Sequence, residues 1–184
     1  MYRREYKNID ISELIKGEYE QCAFDNCDFS DADLSHYHFV DCSFNDCNMS
    51  NVKVHGMSLK TVEFINCKLL GVHFNNCNEF LLSFKFKNCQ LDFTSFYGLK
   101  IKATSFINCS LIESDFTEAD LTESNFENSF LEKAVFYKTK LFKSNFLMAE
   151  AYSIDPELNN IKKAKFSWPG LAGLLSKYDI NIQD

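Results

Sequence analysis

The chain has 184 residues, 46% of them hydrophobic and 15% aromatic, with a net charge of −7. That acidic balance disfavours direct nucleic-acid binding, which needs clustered Lys and Arg on phosphates, and no stretch approaches the ~18 apolar residues of a membrane helix. The opening Met-Tyr-Arg-Arg-Glu-Tyr-Lys is charged and no apolar run follows it. No secretory leader is therefore expected, and the reading is one cytoplasmic domain with no membrane contact.

Residues 1–11 are expected to form an N-terminal cap or a first irregular strand. From Leu14 every fifth residue is large and apolar: Tyr19, Phe24, Phe29, Leu34, Phe39, Phe44, Met49, Val54, Leu59, Phe64, Leu69 and Phe74. A second run goes from Phe86 through Leu91, Phe96, Ile101, Phe106, Leu111, Phe116, Leu121, Phe126, Leu131, Phe136 and Leu141 to Phe146. Two residues before many of these sits a small one, such as Cys22, Cys27, Ala32, Ser114, Ala119 or Ser124. A period of five fits neither a helix nor an ordinary strand, so internal repetition governs the fold.

The break between Phe74 and Phe86 makes residues 77–85 absorb two extra residues. A corner bulge is expected there, with Phe80 and Phe84 re-entering the core. Residues 151–184 are read as a last irregular coil and a helical cap. Ser167 is the expected N-cap and Pro169 lies in the first turn. Leu171, Leu174, Leu175 and Tyr178 follow at helical spacing, and Ile180 and Ile182 alternate after them. The face carrying Trp168, Leu171, Leu174 and Leu175 is expected to plug the open end, or alternatively to join two chains.

Segments such as Ala119-Asp120-Leu121-Thr122-Glu123 and Ser124-Asn125-Phe126-Glu127-Asn128 resemble tandem pentapeptide repeats of the A(D/N)LXX type. The resemblance covers residues 12–150. It implies an all-β fold, a right-handed quadrilateral β-helix with four five-residue sides per coil, here closed by a short C-terminal capping helix. About seven coils are expected.

With 20 residues per coil, Cys27, Cys47 and Cys67 stack, as do Cys22 and Cys42, and Cys89 and Cys109. There is no CxxC pair, so these thiols, with Cys77, read as small buried groups, and neither metal nor cofactor is expected. Asn26, Asp46, Asn66, Asn76, Asn88, Asn108 and Asn128 precede the small position and suit tight corners. His36, His38, His55 and His73 point outward without aligning from coil to coil. No nucleophile triad, nucleotide-binding glycine loop or zinc motif is present, so catalysis is not expected.

Charge is the surface signal above background. Residues 17–52 hold eight acidic side chains and no Lys or Arg, residues 103–132 hold seven and none, and the remainder is net basic. Asp28, Asp31 and Asp33 in the first belt, with Asp115, Glu118, Asp120 and Glu123 in the second, are the candidate interaction surface, and the latter four are expected to point outward. The expected function is a non-enzymatic interaction module for an unknown protein partner, as a monomer or a C-terminal homodimer. The alternative is a DNA mimic that binds DNA gyrase or topoisomerase IV. The family's quinolone-resistance members carry that activity, and Cys27-Asp28-Phe29-Ser30-Asp31-Ala32-Asp33-Leu34-Ser35 is similar to their early repeats.

Overall fold

The computed structural model describes residues 4–181; residues 1–3 of the expected cap and Ile182 lie outside the described residues. The chain winds as a right-handed, four-sided β-solenoid of about eight turns. Each side is a short extended segment, and the corner after it takes a residue with positive φ. Asn26 (53°), Asp46 (54°), Asn66 (55°), Asn88 (56°), Asn108 (54°) and Asn128 (57°) form one such corner column. Asn and Asp tolerate this conformation well. Asn76, half a coil on from Asn66, lies at another corner, accepts the Gly56 N–H and closes a 3-10 turn over Phe74–Asn76.

One side stacks as a parallel sheet of β1 (Arg4–Lys7), β3 (Cys22–Asp25), β5 (Ser43–Asn45), β7 (Val62–Ile65), β8 (Phe84–Lys87) and β9 (Phe106–Ile107). A second side stacks β2 (Glu18–Glu20), β4 (His38–Val40) and β6 (Ser58–Lys60). β10 (Asn145–Phe146) pairs with β11 (Lys165–Phe166). Single bridges such as Asp28↔Asn48 and Asp115↔Val135 join coils elsewhere. The count exceeds the expected seven coils because stacking already begins at Arg4 and still holds at Phe166.

All twenty-six periodic apolar residues are buried. Rings one coil apart lie nearly parallel: Phe24 and Phe44 at 4.7 Å, Phe44 and Phe64 at 5.2 Å, Phe106 and Phe126 at 4.9 Å, Phe126 and Phe146 at 4.8 Å. Stacked aromatic rings fill the interior with large apolar area per position.

The small inward residue also ties each coil to the one below. Cys47 Sγ–H donates toward the carbonyl of Phe24 (3.3 Å), Cys67 toward Phe44 (3.3 Å), Ser129 Oγ–H to Phe106 (2.7 Å) and Ser144 to Leu121 (2.7 Å). All eight thiols are buried and unbridged. Burial pushes Cys42 up to about 11 and Cys77 up to about 12, so both stay protonated near neutrality.

Across the slip, Val62 pairs with Phe84, yet the Phe64 and Phe86 rings still stack at 5.2 Å. The insertion lies on the side of β6, where that three-stranded sheet ends. Phe84 is buried, but Phe80 is 67% exposed, contrary to the expected re-entry. Asn78 Oδ1 accepts the Phe80 N–H (2.9 Å) and Leu81 adopts φ 58°, a tight turn that throws Phe80 outward. Phe84 instead packs on Phe74 at 5.3 Å, and the Lys60 ammonium lies 5.4 Å from the Phe80 ring centre.

The C-terminal cap is a 3-10 turn (Pro169–Leu171), one α-turn, α1 (Ala172–Leu175), and another 3-10 turn (Ser176–Tyr178). Ser167 caps it only through its backbone carbonyl, which accepts the Gly170 N–H at 3.1 Å. The first helical residues make no side-chain capping bond.

Candidate interaction surface

The seven candidate acids do not share one face. Asp28 and Asp33 lie on adjacent sides of one coil, with Asp31 at the corner between them (φ 56°), and all three are exposed. Asp10 stacks beneath Asp28 as its bridge partner and adds a fourth carboxylate, which the belt boundaries at residue 17 left out. Spacing of 18 rather than 20, in the short first coil, hides that neighbour from simple counting.

Each of these carboxylates also shapes its own turn. Asp28 Oδ1 accepts from the Ser30 hydroxyl (2.7 Å) and backbone N–H (3.0 Å), and Asp33 Oδ1 accepts from the Ser35 N–H (2.9 Å). Hydrogen bonds from Ser30 and Ser35 hold both carboxyls below the usual range, so they are ionised at neutral pH. Asp31 accepts from the Asn51 amide one coil up at 3.2 Å. Among the described residues, no basic side chain comes within 4.0 Å of Asp28, Asp31 or Asp33. Amides cancel no charge, so Asp28 and Asp31 keep theirs, while Lys53, the bridge partner of Asp33 one coil up, and Lys16 offset Asp33 from beyond that distance.

The second belt is built differently. Asp115 is half-buried, with Oδ1 on the Thr117 N–H (2.9 Å), while Glu118 (φ 60°) and Glu123 (φ 62°) occupy two successive corners. The four acids therefore wrap around the rod. Asp120 departs from the outward expectation, at 7% exposure, and the Lys102 and Lys140 ammonium groups lie 3.6 and 3.7 Å from its carboxylate. Burial raises its carboxyl, but Thr122 and the two lysines outweigh that and leave it lowered. Glu123 pairs with Lys143 at 2.7 Å and Glu113 with Lys133 at 3.5 Å. Much of this belt is thus neutralised by lysines that the sequence places just outside it.

The four apolar cap residues do not form one face either. Trp168 is 86% exposed, Leu171 is half-buried, Leu174 packs against the core, and Leu175 is exposed. The seam is made by residues the sequence reading passed over: the Tyr152 side chain packs against Gly170 and Gly173, where no Cβ would fit. Of the histidines, His36 and His55 do meet, edge to face at 5.5 Å, because a nineteen-residue spacing carries the chain to the same corner.

Among the described residues, no helix is long and apolar enough to cross a membrane, and no three His, Cys, Asp or Glu side chains gather as metal ligands. The solenoid resembles trypsin-treated QnrB1, a plasmid-mediated fluoroquinolone resistance protein, with a TM-score of 0.64 at 16% identity over 100% of both chains. Full-length QnrB1 gives 0.59 at 16% identity, covering 96% of this chain and 100% of that one. HetL, a pentapeptide repeat protein of Nostoc sp. strain PCC 7120 involved in heterocyst differentiation regulation, gives 0.37 at 13% identity over 89% of each chain. No match was found among curated proteins. Residues 18–96 and 57–136 match the model of the pentapeptide repeat region, together more than half of the sequence. The chain belongs to the pentapeptide-repeat family.

Proposed function

We propose that this protein works without catalysis in the cytoplasm, as a rod that binds a protein partner through its N-terminal acidic corner. One observation carries the reading: Asp28, Asp31 and Asp33 are exposed and have no basic partner within 4.0 Å, whereas Glu113, Asp120 and Glu123 are each paired with lysine. An acidic cluster without close ion pairs on a rigid scaffold favours a basic protein surface and raises the association rate. Stacked rings fill the interior of the coils, which speaks against a substrate site built inside the rod. The test is capture from a native lysate on the intact rod. The partner should elute as salt approaches 1 M, where the screening length is ~3 Å. A partner that stays bound there contradicts the acidic-corner reading.

A second reading is a DNA mimic acting on DNA gyrase or topoisomerase IV. Support comes from the shared fold with a fluoroquinolone resistance protein together with the N-terminal acids that lack a close ion pair. Against it stands the lysine pairing of the second belt, which interrupts a continuous DNA-like charge. Supercoiling by purified gyrase, with and without a quinolone, decides the matter. Neither inhibition nor drug protection at a large excess of this protein ends that reading. A C-terminal homodimer belongs with the mimic and a monomer with the simple module, and sedimentation separates them.

A further inference from the structure

The C-terminal cap meets the last coil through a loose apolar seam on one side and a well-formed polar latch on the other. At the seam, the Tyr152 hydroxyl is buried and has no hydrogen-bond partner among the described residues, an unfavourable state for a polar group. A cavity of about 400 Å³ remains there, lined in part by Met148, Ala151, Ser167, Pro169 and Ala172. Gly170 and Gly173 permit the contact at all, since a Cβ would lie 2.1 Å from the Tyr152 hydroxyl or 2.3 Å from its carbonyl oxygen. Leu174 and Phe166 are only partly buried.

The latch is tighter. Lys177 Nζ lies 2.8 Å from both Asp155 Oδ1 and Glu157 Oε2. The Lys177 and Asp155 side chains are only 25% and 23% exposed, which shields their pairing from solvent. Ser153 and Ser176 share a 2.6 Å hydroxyl contact, Tyr178 O–H donates to Glu157 (3.2 Å), and the Ile154 N–H donates to the Gly173 carbonyl (3.0 Å).

We propose that residues 167–178 form a releasable lid over the end of the solenoid, held shut chiefly by Lys177 bridging Asp155 and Glu157. Opening uncovers Tyr152, Ile154 and Phe166 as an apolar end surface and gives the Tyr152 hydroxyl access to water. The charged and titratable groups facing Lys177 are Asp155, Glu157 and Tyr178. Pairing with Lys177 holds both carboxyls below their usual range and Lys177 above its own. The latch is therefore fully formed near neutrality. It weakens as pH falls through the lowered carboxylate values, and again as pH rises through the raised lysine value.

Native-state hydrogen exchange on the full chain tests the lid. In Lys177→Met, the Ile154 amide should exchange about tenfold faster or more, while the Asn145 amide, bonded to Ser124 in the coils, keeps its protection. Gly173→Ala, which forces the seam apart, should give the same pattern, as should the unmodified protein in high salt. Unchanged Ile154 protection in Lys177→Met and in high salt overturns the proposal. So does a joint rise at Ile154 and Asn145, which would make the cap part of one cooperative unit with the coils.

Discussion

Lys143 Nζ lies 2.7 Å from Glu123 Oε1 because the two residues occupy the same corner of successive coils, at φ 59° and 62°. Twenty residues of chain bring them together. Glu113 with Lys133 and Asp120 with Lys140 repeat the spacing. In this solenoid a separation of twenty does what a separation of four does on a helix. A stretch that looks purely acidic along the chain is thus cancelled from the coils on either side of it.

Asp120 shows the cost of disturbing such a pairing. Asp120→Asn should cost about 1 kcal/mol at neutral pH, because it removes the charge that Lys102 and Lys140 share and weakens the bond to the Thr122 N–H. The folded carboxyl is lowered, so its contribution is present above the unfolded value and fades as pH falls through the folded one. Denaturant melts of the two proteins should converge as pH falls below the lowered value of the folded carboxyl.

The register of the core predicts a sharp contrast between neighbours. Phe116 is fully buried between Phe96 and Phe136, each at 5.1 Å, while Thr117 is half-buried. Phe116→Asp should cost on the order of 4 kcal/mol or more, or prevent folding. Thr117→Asp should stay within about 0.5 kcal/mol. Equal losses in chemical denaturation would contradict the five-residue phase.

The core was legible in the sequence because one residue per side must fill the interior, and that demand recurs every five positions regardless of neighbours. Surface roles were not legible in the same way. Asp115 and Asp120 have the same local pattern, each one residue before a core position, yet only Asp120 is paired with lysines. The difference lies eighteen residues back at Lys102 and twenty ahead at Lys140. Charge counted at twenty-residue separation would have found it. Phe80 and Phe84 are equally apolar, and turn geometry at Asn78 and Leu81 alone decides which enters the core. The Tyr152 seam left no apolar period to read, since glycines carry it by what they lack.

That turn gives a second pair of variants. Phe84→Ala should cost roughly 3–5 kcal/mol as a buried ring is lost. Phe80→Ala should change the melting midpoint little, since it removes mainly a ring beneath Lys60. A large loss for Phe80→Ala would mean that the ring is buried in solution.

The thiols should behave as structural donors. Native protein should react with a thiol reagent only after unfolding, and chelators should leave the melting temperature unchanged. Cys47→Ser should fold, because Ser129 and Ser144 already make the same bond to the coil below. Rapid labelling of native protein at Cys47 or Cys67 would contradict their burial.

The acidic corner is tested most directly by ranking three baits against the captured partner at moderate salt. These are the unmodified rod, the triple variant Asp28→Asn, Asp31→Asn, Asp33→Asn, and the quadruple variant Asp115→Asn, Glu118→Gln, Asp120→Asn, Glu123→Gln. Each should first be shown to melt as a folded rod. The account predicts that the triple variant loses affinity by about tenfold or more, while the quadruple variant, half of whose carboxylates are already paired with lysine, binds nearly as well as the unmodified rod. The reverse ranking would contradict it.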